Sequence, residues 1–210
     1  MASRKRIGIF GGSFDPIHIG HLLIAETATE AASLDQVRLV PAAKSPLKPH
    51  GPAASSRARL EMTSLAISGN SRFHVDDIEI RREGISYTVD TLQELVSQNP
   101  DWDLFLIVGA DSIERFSQWR QPERICELAT PLVVARRGHD PDFSHLAKFV
   151  SEDRLAEIRA ASFDFPLIEI SSTDLRRRIA ESRSIRYRTP RAVEAYIENA
   201  GLYRGTNAGQ

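Results

Sequence analysis

Residues 7–21 read Ile7-Gly8-Ile9-Phe10-Gly11-Gly12-Ser13-Phe14-Asp15-Pro16-Ile17-His18-Ile19-Gly20-His21. A short apolar run ends at a Gly-Gly turn. Two histidines then stand at the mouth of the apolar, helix-periodic segment Leu22 to Ala32. Strand, glycine turn and helix start make a layout suited to phosphates. Amides in the first turn of a helix lack intrahelical partners and carry the positive end of its dipole. Gly11 and Gly12 allow a sharp turn and close approach of backbone to a ligand. Pro16 fixes the chain before His18, and Gly20 keeps Cβ bulk away. His18 and His21 are three apart, so on a helix they share one face.

An H-x-x-H pair can also be half of a zinc set, but no Cys, Asp or Glu cluster nearby completes one. It can equally be two structural histidines closing a loop. The density of special residues in these positions favours a functional loop. The stretch is neither G-x-G-x-x-G nor a Walker loop, since the downstream Lys-Ser/Thr is missing.

Outward from this loop, the chain alternates. Apolar runs at Ile7–Phe10, Val37–Val40, Leu104–Val108, Leu132–Ala135 and Leu167–Ile170 predict strands, with helical spacing between most of them. Runs this apolar suit strands covered on both faces, so the reading is a single Rossmann-like, doubly wound α/β domain with a mainly parallel sheet over residues 1–210. Ligands of such folds bind beyond the carboxyl ends of strands. Gly11, Pro41, Gly109, Arg136 and Ser171 all follow predicted strands.

At 210 residues and 41% hydrophobic content, the chain can bury one sizeable core. A net charge of −1 argues against a general nucleic-acid binder. The single cysteine, Cys126, excludes a disulfide framework and fits a reducing cytoplasm. No apolar run approaches the roughly 20 residues of a membrane span, and the N-terminus lacks a signal peptide's apolar region. Seven arginines against one acid between Arg176 and Arg191 form a basic stripe, whose field suffices to attract an anionic nucleotide.

Several local expectations follow. Four prolines make Pro41–Pro52 a loop carrying Lys44 and Lys48. Ser55 or Ser56 caps a helix with Leu60 and Ile67 on its core face, Arg57 and Arg59 on its surface, and Gly69-Asn70 at its end. Val75–Ile80 alternates like an edge strand with solvated charges. Ser86 or Thr88 caps the next helix, and Asp111 is either a cap or a ribose ligand. The segment from His139 to Ala161 is a short loop and a helix, with His139 and His145 in solvent. Thr189 caps a last helix with Pro190 at its first position, and residues 204–210 form a disordered tail.

Two motifs carry a resemblance. Gly11–His21 resembles the GxFDPxHxGH signature of the nucleotidyltransferase superfamily of α/β-phosphodiesterases, and Ile170-Ser171-Ser172-Thr173-Asp174-Leu175-Arg176 resembles its second signature, ISSTxIR. Ser86-Tyr87-Thr88 with Asp90-Thr91-Leu92, and Gly109-Ala110-Asp111-Ser112, resemble segments of the bacterial nicotinate mononucleotide adenylyltransferases. Where that family carries Pro-Pro-His-Lys, this chain has Ser45-Pro46-Leu47-Lys48, keeping the lysine without the histidine.

The resemblance implies adenylyl transfer from ATP to nicotinate mononucleotide, with Mg2+ entering on the phosphates. It implies His18, His21 and Arg176 as catalytic residues. ATP would contact Gly11, Gly12, Ser13, Phe14, Gly20, Gly109, Asp111, Ser172 and Thr173. The mononucleotide would contact Lys48, Ser86, Tyr87, Thr88, Trp119 and Arg136, although nothing separates Arg136 from Arg137. Acid-versus-amide preference is expected to rest on backbone donors rather than on a dedicated arginine. The expected partners are these two small molecules, with neither nucleic acid nor membrane and with the oligomeric state open. Rival readings are an adenylyltransferase for nicotinamide mononucleotide or phosphopantetheine, or a noncatalytic nucleotide-binding regulator on the same fold.

Overall fold

Six strands form one sheet in the computed structural model, which describes residues 4–46, 51–136, 141–166 and 168–205. The strands are β1 (Lys5–Gly12), β2 (Gln36–Pro41), β3 (Phe73–Val75), β4 (Trp102–Gly109), β5 (Ala129–Arg136) and β6 (Phe163–Phe165). Their spatial order is β3-β2-β1-β4-β5-β6, and all five pairings are parallel. The chain first winds outward from β1 to β3, then crosses back to β4 on the other side of β1. That reversal opens a crevice beyond the carboxyl ends of β1 and β4, where doubly wound sheets bind ligands.

Helices cover both faces. They are α1 (Ile19–Ala31), α2 (Ser56–Ile67), α3 (Ile78–Arg82), α4 (Thr88–Gln98), α5 (Ala110–Ile113), α6 (Pro122–Leu128), α7 (Ser144–Ala147), α8 (Glu152–Ala161), α9 (Ser172–Ala180) and α10 (Arg191–Asn199). A 3₁₀ turn spans Phe116–Gln118. Strand alternation sorts the apolar side chains into two cores. Ile7 and Ile9 of β1 join Leu92, Leu95 and Leu106 on one face. Phe10 joins Ala25, Ala28, Met62 and Val193 on the other. Gly8 lies at the tightest approach, because a Cβ there would meet Leu34 Cδ1 at 2.7 Å and Ile107 Cδ1 at 3.1 Å.

Some elements depart from the sequence reading. Val75–Ile80 is strand only to Val75, and the chain then turns into α3, burying Ile78 and Glu79. The sixth strand lies at Phe163–Phe165 rather than Leu167–Ile170; residues 168–170 are irregular and Leu167 is outside the described residues. Ser55 does cap α2, accepting from the Ala58 amide, but that helix buries Ala58, Met62, Thr63 and the whole of Arg59. Arg57 alone is the surface arginine. Tyr87 rather than Ser86 or Thr88 occupies the cap position of α4, and Gly109 rather than Asp111 that of α5. Pro190 precedes α10 in the cap position, while the Thr189 hydroxyl is spent elsewhere. His145 is half-buried on α7. In the supposed tail, Arg204 donates to the Glu198 carbonyl, and residues 206–210 lie outside the described residues.

Candidate active site

The loop between β1 and α1 is fastened by side chains from distant parts of the chain. Fully buried Arg59 donates to the Ser13 carbonyl at 2.9 Å. Arg176 donates to the Asp15 carbonyl at 2.7 Å, the Ser172 hydroxyl to the Pro16 carbonyl at 2.8 Å, and the Thr189 hydroxyl to the Ile17 carbonyl at 2.8 Å. The Ile19 amide donates to the Arg188 carbonyl at 2.9 Å. Each bond removes a backbone group that a buried irregular loop would otherwise leave unpaired.

Asp15 has a second use. Its carboxylate, 3% exposed, accepts from the Ala53 and Ala54 amides at 2.7 and 3.0 Å and from the Tyr203 hydroxyl at 2.7 Å. Burial and that hydrogen bond push the Tyr203 phenol up. Arg176 Nη1 lies 3.7 Å from the same carboxylate. The aspartate of the motif is therefore a hub joining loop, α2 entry, α9 and the chain's last turn.

The two histidines are set by this frame. Their rings stack at 3.7 Å with 24° between planes, and the His18 amide donates to His21 Nδ1 at 3.2 Å. Phe14 is 1% exposed and meets His21 edge-on at 5.1 Å. Its side chain is a buttress for the imidazole, not a surface for ATP. Gly20 keeps room for His18, since a Cβ there would lie 3.1 Å from its Cε1 and Nδ1. Burial holds the His18 imidazole down at about 4, so at neutral pH it is an uncharged ring that still has one N–H to donate.

Beside the loop lies a cavity of about 370 Å³. Gly11, Gly12, Ser13, Ser86, Tyr87, Thr88, Gly109 and Trp119 are among the residues that line it. The sequence reading therefore named residues that the fold does bring together. The Ser86 hydroxyl accepts from the Ala43 amide at 2.8 Å, which ties the α4 entry to the loop after β2. Tyr87 precedes α4, whose first amides have no intrahelical partners. Trp119 packs on Phe116 at 5.3 Å, and its indole Nε1 is buried with no hydrogen-bond partner.

Other expected residues stand apart. Asp111 is exposed on α5, one residue before Ser112 of the cavity wall. Thr173 is exposed on α9 and receives a long 3.4 Å contact from Arg176. Lys48 lies outside the described residues, as do Arg137 and the Arg136 side chain; Arg136 ends β5. Missed from sequence were Arg59, Glu79, Thr91, Arg120 and Tyr203. The only signal was position: Arg59 shares a helical face with Met62 and Thr63.

A family model for cytidylyltransferase-like proteins matches residues 9–178. The chain belongs to the cytidylyltransferase-like family. That span begins inside β1 and ends inside α9, so it takes in both the loop and its α9 fasteners. Within the family, a probable nicotinate-nucleotide adenylyltransferase of Rhodopirellula baltica is 50% identical over 96% of this chain and 95% of its own. A probable nicotinate-nucleotide adenylyltransferase of Thermus thermophilus is 47% identical over 95% of this chain and 100% of its own. The nicotinic acid mononucleotide adenylyltransferase of Plasmodium falciparum, solved in complex with NaAD, shares the fold at 19% identity with a TM-score of 0.71, covering 95% of this chain and 97% of its own.

Among the described residues, no helix is long and apolar enough to cross a membrane. Nor does any group of three His, Cys, Asp or Glu stand together there as a metal set. Burial pushes the Cys126 thiol up to about 11, which leaves it protonated and poorly nucleophilic.

Proposed function

We propose that the chain transfers the adenylyl group of ATP to nicotinate mononucleotide, releasing nicotinate adenine dinucleotide and pyrophosphate, a step of NAD biosynthesis. One observation carries this reading. The loop between β1 and α1 lines an aromatic-walled cavity at its start, through Gly11–Ser13, and carries a stacked imidazole pair at its end, where α1 begins. One receptor suits a triphosphate, and the other suits a flat ring with a phosphate directed toward the first. The names borne by the relatives at 50% and 47% identity support the same acceptor.

The chemistry is a direct in-line displacement. An oxygen of the mononucleotide phosphate attacks the α-phosphorus of ATP, the bond to the bridging β-oxygen breaks, and pyrophosphate departs. No protein nucleophile takes part. Both reactants are anions, so alignment and neutralisation of developing charge supply most of the rate. His18 and His21 donate N–H to the ATP phosphates. Arg176 and the opening amides of α9 at Ser172 and Thr173 face them across the loop. Gly109 and Asp111 take the ribose side of ATP. Lys48 and Arg136 hold the attacking phosphate, while Ser86, Tyr87, Thr88 and Trp119 hold the pyridine ring.

Mg2+ fits this scheme as a companion of the substrate. Around the imidazole pair the donors are ring nitrogens and amides, which suit phosphate oxygens. Mg2+ prefers oxygen ligands, and the triphosphate supplies them. When bound, it would offset phosphate charge. The reaction belongs in the cytoplasm, where ATP is available.

His21→Ala removes one donor, the stack on His18 and the acceptor of the His18 amide. Turnover should fall about 10²–10³-fold, the usual cost of losing one preorganised donor at a developing charge. The assay follows pyrophosphate release from ATP with each of nicotinate mononucleotide, nicotinamide mononucleotide and phosphopantetheine. Near-normal turnover in the variant would refute the imidazole assignment. Preference of the parent chain for another acceptor would refute the substrate.

A further inference from the structure

Building on that reading of the cavity, we infer that the guanidinium of Arg120 is the charge that selects the acid over the amide of the pyridine mononucleotide. The two acceptors differ by little more than one negative charge on the ring substituent. Amides at a helix start already favour an anionic group, and a full positive charge beside them would widen that preference against the neutral amide.

Among the described residues lining the cavity, the charged side chains are Glu79 and Arg120. Glu79 is withdrawn. It is 7% exposed and accepts from the Thr91 hydroxyl at 2.7 Å, which in turn accepts from Arg82 at 2.9 Å. Arg120 is open to solvent and lies over the Tyr87 ring, 4.7 Å from its centroid, beside the start of α4. Its Nη1 reaches Asp90, in the first turn of α4, at 3.5 Å.

That ion pair is long and half-exposed. Such pairs contribute at most about 1 kcal/mol, so stability does not require an arginine here. A guanidinium has five donors in a planar fork, and one long contact to Asp90 leaves the rest. Tyr87 and Asp90 thus hold a cation against the aromatic wall where the α4 amides begin. The fork matches a carboxylate in two-point fashion and offers an amide nitrogen only repulsion.

The test is a ratio. kcat/KM is measured for nicotinate and nicotinamide mononucleotides at saturating ATP in the parent chain, Arg120→Gln and Arg120→Lys. Arg120→Gln should lower the acid-to-amide ratio at least tenfold, with the change in KM for the acid rather than in kcat. Arg120→Lys should retain part of the preference, because the charge survives and the fork does not. Thermal unfolding of each variant reports any loss of fold separately, and such a loss does not move a ratio between two substrates. A parent chain that prefers the acid, with the ratio unchanged in Arg120→Gln, overturns the role of Arg120 and leaves the acceptor reading standing. A parent chain that turns over neither mononucleotide overturns the acceptor reading and this inference with it.

Discussion

The β1–α1 loop and the cavity beside it share the Gly11–Ser13 backbone but are built in opposite ways. Four successive regions of the loop are pinned by side chains from α2, α9 and the turn before α10, at 2.7–2.9 Å. The cavity is floored by the ends of β1, β2 and β4 and closed by short local pieces, namely α3, the start of α4 and the turn Phe116–Arg120. Its links include Ser86 to Ala43, Ser86 N to the Lys44 carbonyl at 2.9 Å, Thr91 to Glu79 at 2.7 Å, the long 3.5 Å pair of Arg120 with Asp90, and rings leaning on rings. Under the proposed function, preorganisation belongs to the half that would stabilise charge, and adjustable side chains belong to the half that would choose a partner. Damage to the loop should come from remote residues and destabilise the whole protein. Damage to the cavity should alter selection and little else.

The largest effect should come from Arg59. Arg59→Met keeps the apolar stem and removes the charge, taking away the donor to the Ser13 carbonyl and depriving buried Asp15 of a nearby cation. Breaking a buried charge network on one side costs about 3–5 kcal/mol. Arg57→Ala, two residues away and exposed, should stay within about 0.5 kcal/mol. Urea unfolding of the pair checks this. Equal losses in both would mean the loop is not held from α2.

The next effect is set by pH. His18 in the folded chain titrates at about 4 against 6.5 unfolded. Between these values the unfolded chain takes up a proton that the folded chain refuses, so acid favours unfolding. The contribution is fully present above pH 6.5, is reduced by about 2 kcal/mol at pH 5, and falls no further below about pH 4. His18→Gln should flatten this part of the stability curve between pH 7 and pH 5. A curve of unchanged steepness would place the titration elsewhere.

What could be read from the sequence divides along the same line. The strand-turn-helix pattern and two hydroxyl- and glycine-rich signatures located the loop and α9, because local chemistry and local conformation coincide there. The loop's fasteners were hidden. Arg59 looks like any helix-surface arginine until tertiary packing buries it, and Tyr203 sits 188 residues from its partner Asp15. Val75–Ile80 alternates as a strand should, yet β3 ends at Val75 and Glu79 turns inward to Thr91. Period-two patterning cannot tell an edge strand from a short helix whose polar group has found a buried partner. On the cavity side, Trp119 and the Ser86–Thr88 segment were legible as aromatic and helix-start chemistry. Arg120 was not, because its meaning depends on Tyr87 and Asp90 arriving beside it.

The smallest effect sharpens the contrast. Trp119 lies on the cavity wall, tilted at 36° against Phe116, so under the proposed function the substrate ring would meet an aromatic partner already braced by a neighbour. An aromatic pair is worth roughly 0.5–1.5 kcal/mol beyond its burial, or about 2–10-fold in affinity. Trp119→Leu should therefore raise KM for nicotinate mononucleotide by up to about tenfold, and Trp119→Phe by about threefold, since a smaller ring keeps part of the overlap. KM for ATP should hold in both, because the β1–α1 loop, the proposed triphosphate receptor, hangs from Arg59, Arg176, Ser172 and Thr189 and none of these bonds passes through the Phe116–Arg120 turn. Steady-state kinetics with each substrate varied in turn separates the two. If Trp119→Leu weakened ATP as much as the mononucleotide, the two halves would be one mechanical unit, and the division between a pinned loop and a tunable wall would fail.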